Sequence, residues 1–359
     1  MSFSLQRKLT ICRANRDRCV RALGAITGGA LALAPAARAD WPTNLFSPAA
    51  TPARYDYELA LFVLAITLGI FIVVGGLLAF VLIRYRQRPG DDNHEPAQIY
   101  GSNQIELSWT VIPILIVVTL FLTTTRVVMG TQAIPKPASA FNVVVIGHQF
   151  WWEYRYPSLG IVTANELHIP ISDPAHPTPT YLTLASADVT HSFFVPRLGG
   201  RMDLIPNRVN ETWVDPPQPG LFLGQCAQYC GTQHAKMLLR VYVQTQADFD
   251  AWAAQQKQPA RQEFSGNAAA AEGQQVFLHN ACINCHTVSG TAATGRFGPD
   301  LTHLAGRDTI ASGAVPNTPQ NLRQWIDNPD SLKPGSLMPS MHLNQHDLDA
   351  ITAYLTQLR

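Results

Sequence analysis

Cys226-Ala227-Gln228-Tyr229-Cys230-Gly231-Thr232-Gln233-His234-Ala235-Lys236-Met237 places two thiols, an imidazole and a thioether within one short stretch, and a second imidazole stands upstream in His191-Ser192-Phe193. Thiolates, imidazoles and a thioether are soft-to-intermediate ligands, the set that suits copper in an electron-transfer site rather than a hard-oxygen metal. A mononuclear blue copper site uses one cysteine. Two sulfurs can bridge a pair of copper ions and share the electron between them, so that little geometry changes on transfer. A Cys226–Cys230 disulfide, a Cys2His2 zinc site and unrelated core residues compete with that reading. The CxxxCxxxHxxM spacing with an outlying His-Ser-Phe is far more specific than a lone CxxxC.

Around these ligands the apolar runs are short, at 141–146, 151–156, 181–184, 211–214 and 237–243, and Pro and Gly clusters separate them. Period-two runs between turn signals argue for an antiparallel sandwich or barrel. Residues 246–256 read as a closing helix and 257–267 as a polar linker. From 268 onward helical signals dominate, at 268–280, 319–327 and 345–358, where Leu348, Ile351, Leu355 and Leu358 repeat at helical spacing.

Within that last unit Cys282-Ile283-Asn284-Cys285-His286 is CxxCH, the signature of covalent c-type haem attachment. Two thiols add to the porphyrin vinyl groups and the histidine is then held over one face of the iron. A zinc half-site or a redox dithiol is the bland alternative, but a zinc site needs further close ligands. A thioether on the other face raises the potential. Met338 is the candidate, with Met341 as a near rival.

Working towards the N-terminus, 59–83 is an uninterrupted uncharged stretch and 107–125 a shorter one that contains Pro113; both are long enough to span a bilayer. The loop between them begins with Arg84, Arg86 and Arg88, whereas Arg54 alone precedes the first helix after residue 39, so the positive-inside rule puts the loop in the cytoplasm and both long ends outside. Residues 1–39, basic, then apolar, then Ala37-Arg38-Ala39, read as a signal peptide. Charged residues are only 14% of the chain and the net charge is +1, which excludes extended disorder and gives no bulk electrostatic reason to bind nucleic acid. Glu106, at the mouth of the second stretch, is either a headgroup-layer carboxylate or a functional acid.

The C-terminal unit resembles class I cytochrome c in Gly273 to Phe277, CxxCH, Gly298-Pro299-Asp300-Leu301, Trp325 and the final helix with Tyr354. That resemblance implies that the Pro299 carbonyl accepts from the His286 ring. Residues 40–256 resemble subunit II of the haem-copper oxygen reductases in Gly147-His148-Gln149, the run Phe150-Trp151-Trp152-Glu153-Tyr154, His191-Ser192-Phe193, Asp203-Leu204-Ile205-Pro206-Asn207-Arg208 and the ligand loop. With the fused haem unit, the whole resembles the caa-type subunit.

The resemblance implies a signal peptide (1–39), a transmembrane hairpin (40–130), an all-β cupredoxin-like Greek-key sandwich (131–256), a linker (257–267) and an all-α cytochrome c domain (268–359), in a bacterial cell membrane with both outer domains in the periplasm. It implies a binuclear copper centre on His191, Cys226, Cys230, His234, Met237 and the backbone carbonyl of Gln228, and one covalent haem on Cys282, Cys285, His286 and Met338. Electrons reach subunit I, where oxygen becomes water and protons are pumped; subunit III is a further partner, and the donor is a soluble cytochrome c or a quinol-oxidising complex. The family glutamate that also reaches magnesium is replaced by Gln228, which leaves that ion in doubt. The tryptophan that admits electrons aligns with Phe150, with Trp151 or Trp152 as substitutes, and Glu106 stands where the family admits protons. A copper subunit of a nitric oxide reductase and a stand-alone tethered electron shuttle remain alternatives; a quinol oxidase subunit lacks the copper ligands.

Overall fold

The computed structural model describes residues 43–86, 95, 98, 100–132, 136–137, 140–264 and 266–359. The expected signal peptide and Arg88 lie outside those residues.

Helices α1 (Thr51–Arg84) and α2 (Asn103–Gln132) run well beyond the apolar stretches read from the sequence, because the helical hydrogen bonding continues through the polar flanks. At about 1.5 Å per residue each exceeds the roughly 30 Å of a hydrocarbon core, and both are apolar enough to cross a membrane. Their large side chains face outward; Phe71 is 72% and Ile83 78% exposed. Such a surface needs lipid or another apolar cover. The ring of Tyr55, early in α1, lies beside Gly130, late in α2, so the pair is an antiparallel hairpin. No side chain of α1 caps its N-terminus. Asp215 does so instead, accepting from the Thr51 amide (2.7 Å) and hydroxyl (2.6 Å), which satisfies donors that a helix start leaves open. Trp213 Nε1 donates to the Thr131 carbonyl at the end of α2 (2.7 Å).

The sandwich has two five-stranded sheets. One holds β1 (Asn142–His148), β2 (Trp151–Tyr156), β3 (Ile161–Ala164), β5 (Thr180–Ser186) and β8 (Asn210–Val214), in the order β3-β2-β1-β5-β8; the other holds β4 (Glu166–Pro170), β6 (His191–Phe194), β7 (Met202–Leu204), β9 (Gly220–Cys226) and β10 (Leu238–Gln244), in the order β4-β10-β9-β6-β7. The sheets are not purely antiparallel as the sequence suggests: β1 pairs with β5 and β4 with β10 in parallel, because the chain crosses to the other sheet and back between the paired strands. Alternate residues such as Val143, Val145, Leu182 and Leu184 face Leu239, Val241 and Val243 across the core. Helix α3 (Gln246–Gln256) closes the sandwich, capped by Thr245 on the Asp248 amide.

The C-terminal domain contains α4 (Ala268–His279), the single turn α5 (Cys282–Cys285), a two-residue pair β11 (Thr309–Ile310) and β12 (Val315–Pro316), α6 (Pro319–Asp327), the short α7 (Pro329–Leu332) and α8 (Gln345–Leu355). Asn267, Thr318 and Asn344 each cap the helix that follows. Helix α4 crosses α8 at Gly273, where a Cβ would lie 1.9 Å from the Ala350 carbonyl oxygen. Tyr354 of α8 packs at 5.7 Å on Phe277 of α4.

Candidate metal and haem sites

Three elements converge on the first site. Cys226 ends β9, Met237 precedes β10, and His191 opens β6, which pairs with β9 so that Phe193 faces Cys226. The loop is pinned by its backbone: the Cys226 amide donates to the Met237 carbonyl (2.9 Å) and the Ala227 amide to the Ser192 carbonyl (3.1 Å). The donors then face one another. Cys226 Sγ lies 3.9 Å from Cys230 Sγ, 4.0 Å from His191 Nδ1 and 3.1 Å from the Gln228 carbonyl oxygen. Cys230 Sγ lies 3.7 Å from His234 Nδ1 and 3.8 Å from Met237 Sδ. Donor atoms held about 2.0–2.3 Å from a shared metal sit at such separations. His191, Cys226 and Cys230 are buried and mutually within ligand range, both cysteines are free thiols, and a shape-matched set of sulfur and imidazole donors fits copper.

A residue outside the motif orients this set. Asp188 Oδ1 accepts from His191 Nε2 (2.8 Å), which assigns that proton to Nε2 and leaves the Nδ1 lone pair directed at the sulfurs. Burial opposes a charged His191, but the hydrogen bonds to Asp188 and Cys226 outweigh it and raise its pKa. The Cys226 thiol is pushed down to about 3, chiefly by the Cys230 thiol donating to it and against the effect of burial, while Cys230 is raised by the same sharing. One sulfur of the pair is therefore ready as a thiolate.

The second site is a cavity of about 280 Å³ between α4, α5, α6 and α8, lined by Phe277, Leu322, Trp325, Ile351 and Leu355 with Cys282, Cys285 and His286 at its edge. The α5 turn sets both cysteines and His286 on one rim, its last amide closing on the Cys282 carbonyl (3.0 Å). His286 Nδ1 donates to the Pro299 carbonyl (2.8 Å), as the cytochrome resemblance implies. A carbonyl only accepts, so Nε2 is left unprotonated to ligate. Burial lowers the pKa of this imidazole and keeps it neutral, the Pro299 bond opposing. Gly298 supplies the room: a Cβ there would lie 2.6 Å from His286 Cε1. An apolar slot with two thiols and a fixed neutral imidazole at its rim fits a covalently attached haem. Met338 and Met341 both line it.

The aromatic run divides. Phe150 and Trp151 line the haem cavity although they belong to the sandwich. Trp151 also stacks on His148 at 4.2 Å. Trp152 has no exposed surface and packs edge-on to His191 at 6.0 Å, inside the sandwich. Gln149 Nε2 donates to the Cys230 carbonyl (2.5 Å), so one dipeptide, Gln149-Phe150, touches both sites. Glu106 lies in the first turn of α2, exposed, and is joined to neither site. Besides Asp188, sequence reading misses Lys333, a buried lysine in the cavity wall. A lone carboxylate in a turn and a lone lysine have no spacing signature.

Comparison with known proteins gives three family models in succession: cytochrome c oxidase subunit II, transmembrane domain, over 39–127; cytochrome c oxidase subunit II, periplasmic domain, over 163–244; and cytochrome c over 270–359. A cytochrome c oxidase subunit 2 of Alkalihalophilus pseudofirmus is 35% identical, covering 87% of this chain and 90% of that protein. Another, of Bacillus sp. (strain PS3), is 33% identical over 88% and 91%. Among solved structures, the periplasmic domain of cytochrome oxidase subunit II (CoxB) of Bradyrhizobium japonicum is 28% identical over 34% of this chain and 97% of that one, with a TM-score of 0.32.

Proposed function

Since the chain belongs to the cytochrome c oxidase subunit II family and carries a fused cytochrome c domain, we propose that it is the electron-accepting subunit of a terminal oxidase, taking electrons at a c-type haem, passing them to a binuclear copper centre and delivering them to subunit I for proton-coupled reduction of oxygen to water. The observation that carries this is the convergence of both donor sets on one dipeptide: Gln149 on the Cys230 carbonyl and Phe150 in the haem cavity wall.

When bound, the two groups supply reversible one-electron acceptors. The protein's own residues hold and shape. Cys282, Cys285 and His286, the last through its unprotonated Nε2, would hold the haem together with Met338, with Met341 beside it in the cavity wall. Cys226, Cys230, His191, His234, Met237 and the Gln228 carbonyl would hold the binuclear copper centre; the short helical turn at His234–Lys236 and the β9–β10 pairing fix these donors in place. A site that does not reorganise transfers an electron at little cost.

Arg84 and Arg86 at the far end of α1 favour a cytoplasmic loop and periplasmic outer domains. The apolar flanks of the hairpin would pack on subunit I, with subunit III beyond it, and Glu106 would admit protons at the cytoplasmic side. Gln228 offers a neutral amide where a carboxylate would hold magnesium, so that side chain brings no charge to such an ion. A soluble cytochrome c or a quinol-oxidising complex would feed the haem.

Metal and haem analysis of the purified complex tests the reading. Two coppers and one haem c in this chain, with oxygen uptake by the complex, support it. Nitric oxide turnover without oxygen uptake would assign the subunit to a different reductase, and isolation without a large haem-bearing membrane partner would make it a free shuttle. Cys226→Ser abolishes the mixed-valence copper signal while the haem spectrum stays normal; a retained signal would contradict the bridge.

A further inference from the structure

The sandwich and the haem domain share a built interface in which each sends a buried side chain into the other's backbone. Lys333 follows α7 of the haem domain, is 3% exposed, and donates to the Phe150 carbonyl of the sandwich (2.7 Å) and to the Ala311 carbonyl of its own domain (3.2 Å). Glu166 opens β4 of the sandwich, is also 3% exposed, and accepts from the amides of Asp308 (3.0 Å) and Thr309 (3.1 Å) and the Thr309 hydroxyl (3.3 Å). Between them the copper-ligand loop grips the strap after α7: Lys236 Nζ donates to the Leu332 carbonyl (2.9 Å), Gln233 Nε2 donates to the Pro334 carbonyl, and Gly335 lies against Thr232. The Leu238 amide donates to the Ser312 carbonyl (3.2 Å), and Tyr242 OH to Asp308 Oδ2 (2.5 Å).

Burying a lysine and a carboxylate is costly unless hydrogen bonds satisfy them, and a domain joined only by a flexible tether has no reason to bury either. Here both find their partners across the interface. The strap that carries Lys333 runs from Leu332 to Gly335 and continues directly to Met338, so the contacts of Lys333 and Lys236 set where the thioether stands.

We infer that Lys333 and Glu166 are positioning residues that lock the haem-bearing domain onto the copper-ligand domain in one pose, so that the separation of the two redox sites is set by reciprocal buried contacts and not by the length of the tether. The inference rests on the functional reading above for its consequence, though not for its test. With the lock closed, Phe150 stays in the haem cavity wall. With either contact removed, the domain swings on its linker and the donor must find its seat again for each transfer.

Amide hydrogen exchange on the full chain in detergent, loaded with copper and haem, tests the lock, with each variant read at the contact it does not touch. In Lys333→Met, exchange at the Asp308 and Thr309 amides rises about tenfold or more; in Glu166→Ala the Leu238 amide does the same. A charge-assisted hydrogen bond of about 1.5 kcal/mol or more corresponds to that factor. Glu166→Gln keeps an acceptor oxygen and stays near the parent. The amides of Phe277 in α4 and Val241 in β10, interior to each domain, keep their parent rates. Intramolecular electron transfer, independent of solvent viscosity in the parent, becomes slower and viscosity-dependent in Lys333→Met. Unchanged exchange at the remote contact overturns the lock. So does a rise at Phe277 and Val241 in step, which makes these residues ordinary packing. Loss of copper or haem from the parent chain would defeat the functional reading while leaving the exchange result to be read by itself.

Discussion

Gly298 and Asp188 decide how two imidazoles are presented, and neither is itself a ligand. A methyl group at 298 would press on the His286 ring from 2.6 Å at Cε1 and 2.9 Å at Nδ1, and the ring, held to Pro299, cannot retreat without losing that bond. Gly298→Ala should therefore cost about 1–3 kcal/mol as an overpacked site and displace the His286 ring, read as a changed haem spectrum with the copper signal intact. Asp188→Asn keeps the shape but weakens the hold on His191 Nε2. Copper affinity should fall by about 10–100-fold, the usual effect of losing an outer partner of a ligating histidine, measured by competition with a copper chelator. The candidate ligands are legible in the sequence because residue type and spacing encode donor chemistry. Their supports are not, since what qualifies Asp188 or Gly298 is a distance across a turn that only the folded chain creates.

At the scale of elements, α3 is held to the sandwich through His168 of β4, whose ring is stacked at 4.4 Å on Trp252 of α3 and at 4.8 Å on Tyr242 of β10, with Nδ1 donating to Gln244 Oε1 (3.1 Å). Burial drives this imidazole down to about 4 from its usual 6.5, the Gln244 bond opposing. The unfolded chain takes up the proton at about 6.5 while the folded chain resists it until about 4, so between those values the unfolded state binds more protons and stability falls as pH falls. His168→Gln should flatten that part of the profile relative to the parent, measured as the difference in unfolding midpoint between pH 4 and 7. Legibility at this scale follows length and periodicity. Helices α3 and α6 are found at the residues read from sequence, and β2 likewise. Strands β3, β4, β6, β7 and β9 are not anticipated: three are of three or four residues, and β9 is broken by Gly220 and Gly224. The parallel pairing of β1 with β5 joins residues some forty positions apart, which no local period reports.

On the scale of the whole molecule, membrane hairpin, sandwich and haem domain follow one another in the order the sequence implies, while the interface between the outer two is invisible to it, because Lys333 and Glu166 look like any surface charge until burial is known. Copper removal reads the sandwich separately from its neighbour. Metal bound only by the folded state adds about 4 kcal/mol at a thousandfold excess over Kd, so chelation should lower the unfolding temperature of the sandwich with the haem absorbance unmoved. A common fall in both would mean the domains melt as one. A different consequence follows from the hairpin. Among the described residues, the hydrogen bonds that α1 and α2 make to the sandwich go to Asp215 and Trp213, two positions apart where β8 ends. The water-facing part is thus seated on the β8 terminus, while the approach to α1 is held separately by the Ala49 amide on the Arg197 carbonyl (2.8 Å) and Arg197 Nε on the Ser47 carbonyl (2.9 Å), so a chimera carrying foreign helices would keep its seat with residues 47–50 retained and a hydroxyl and a carbonyl at matching height.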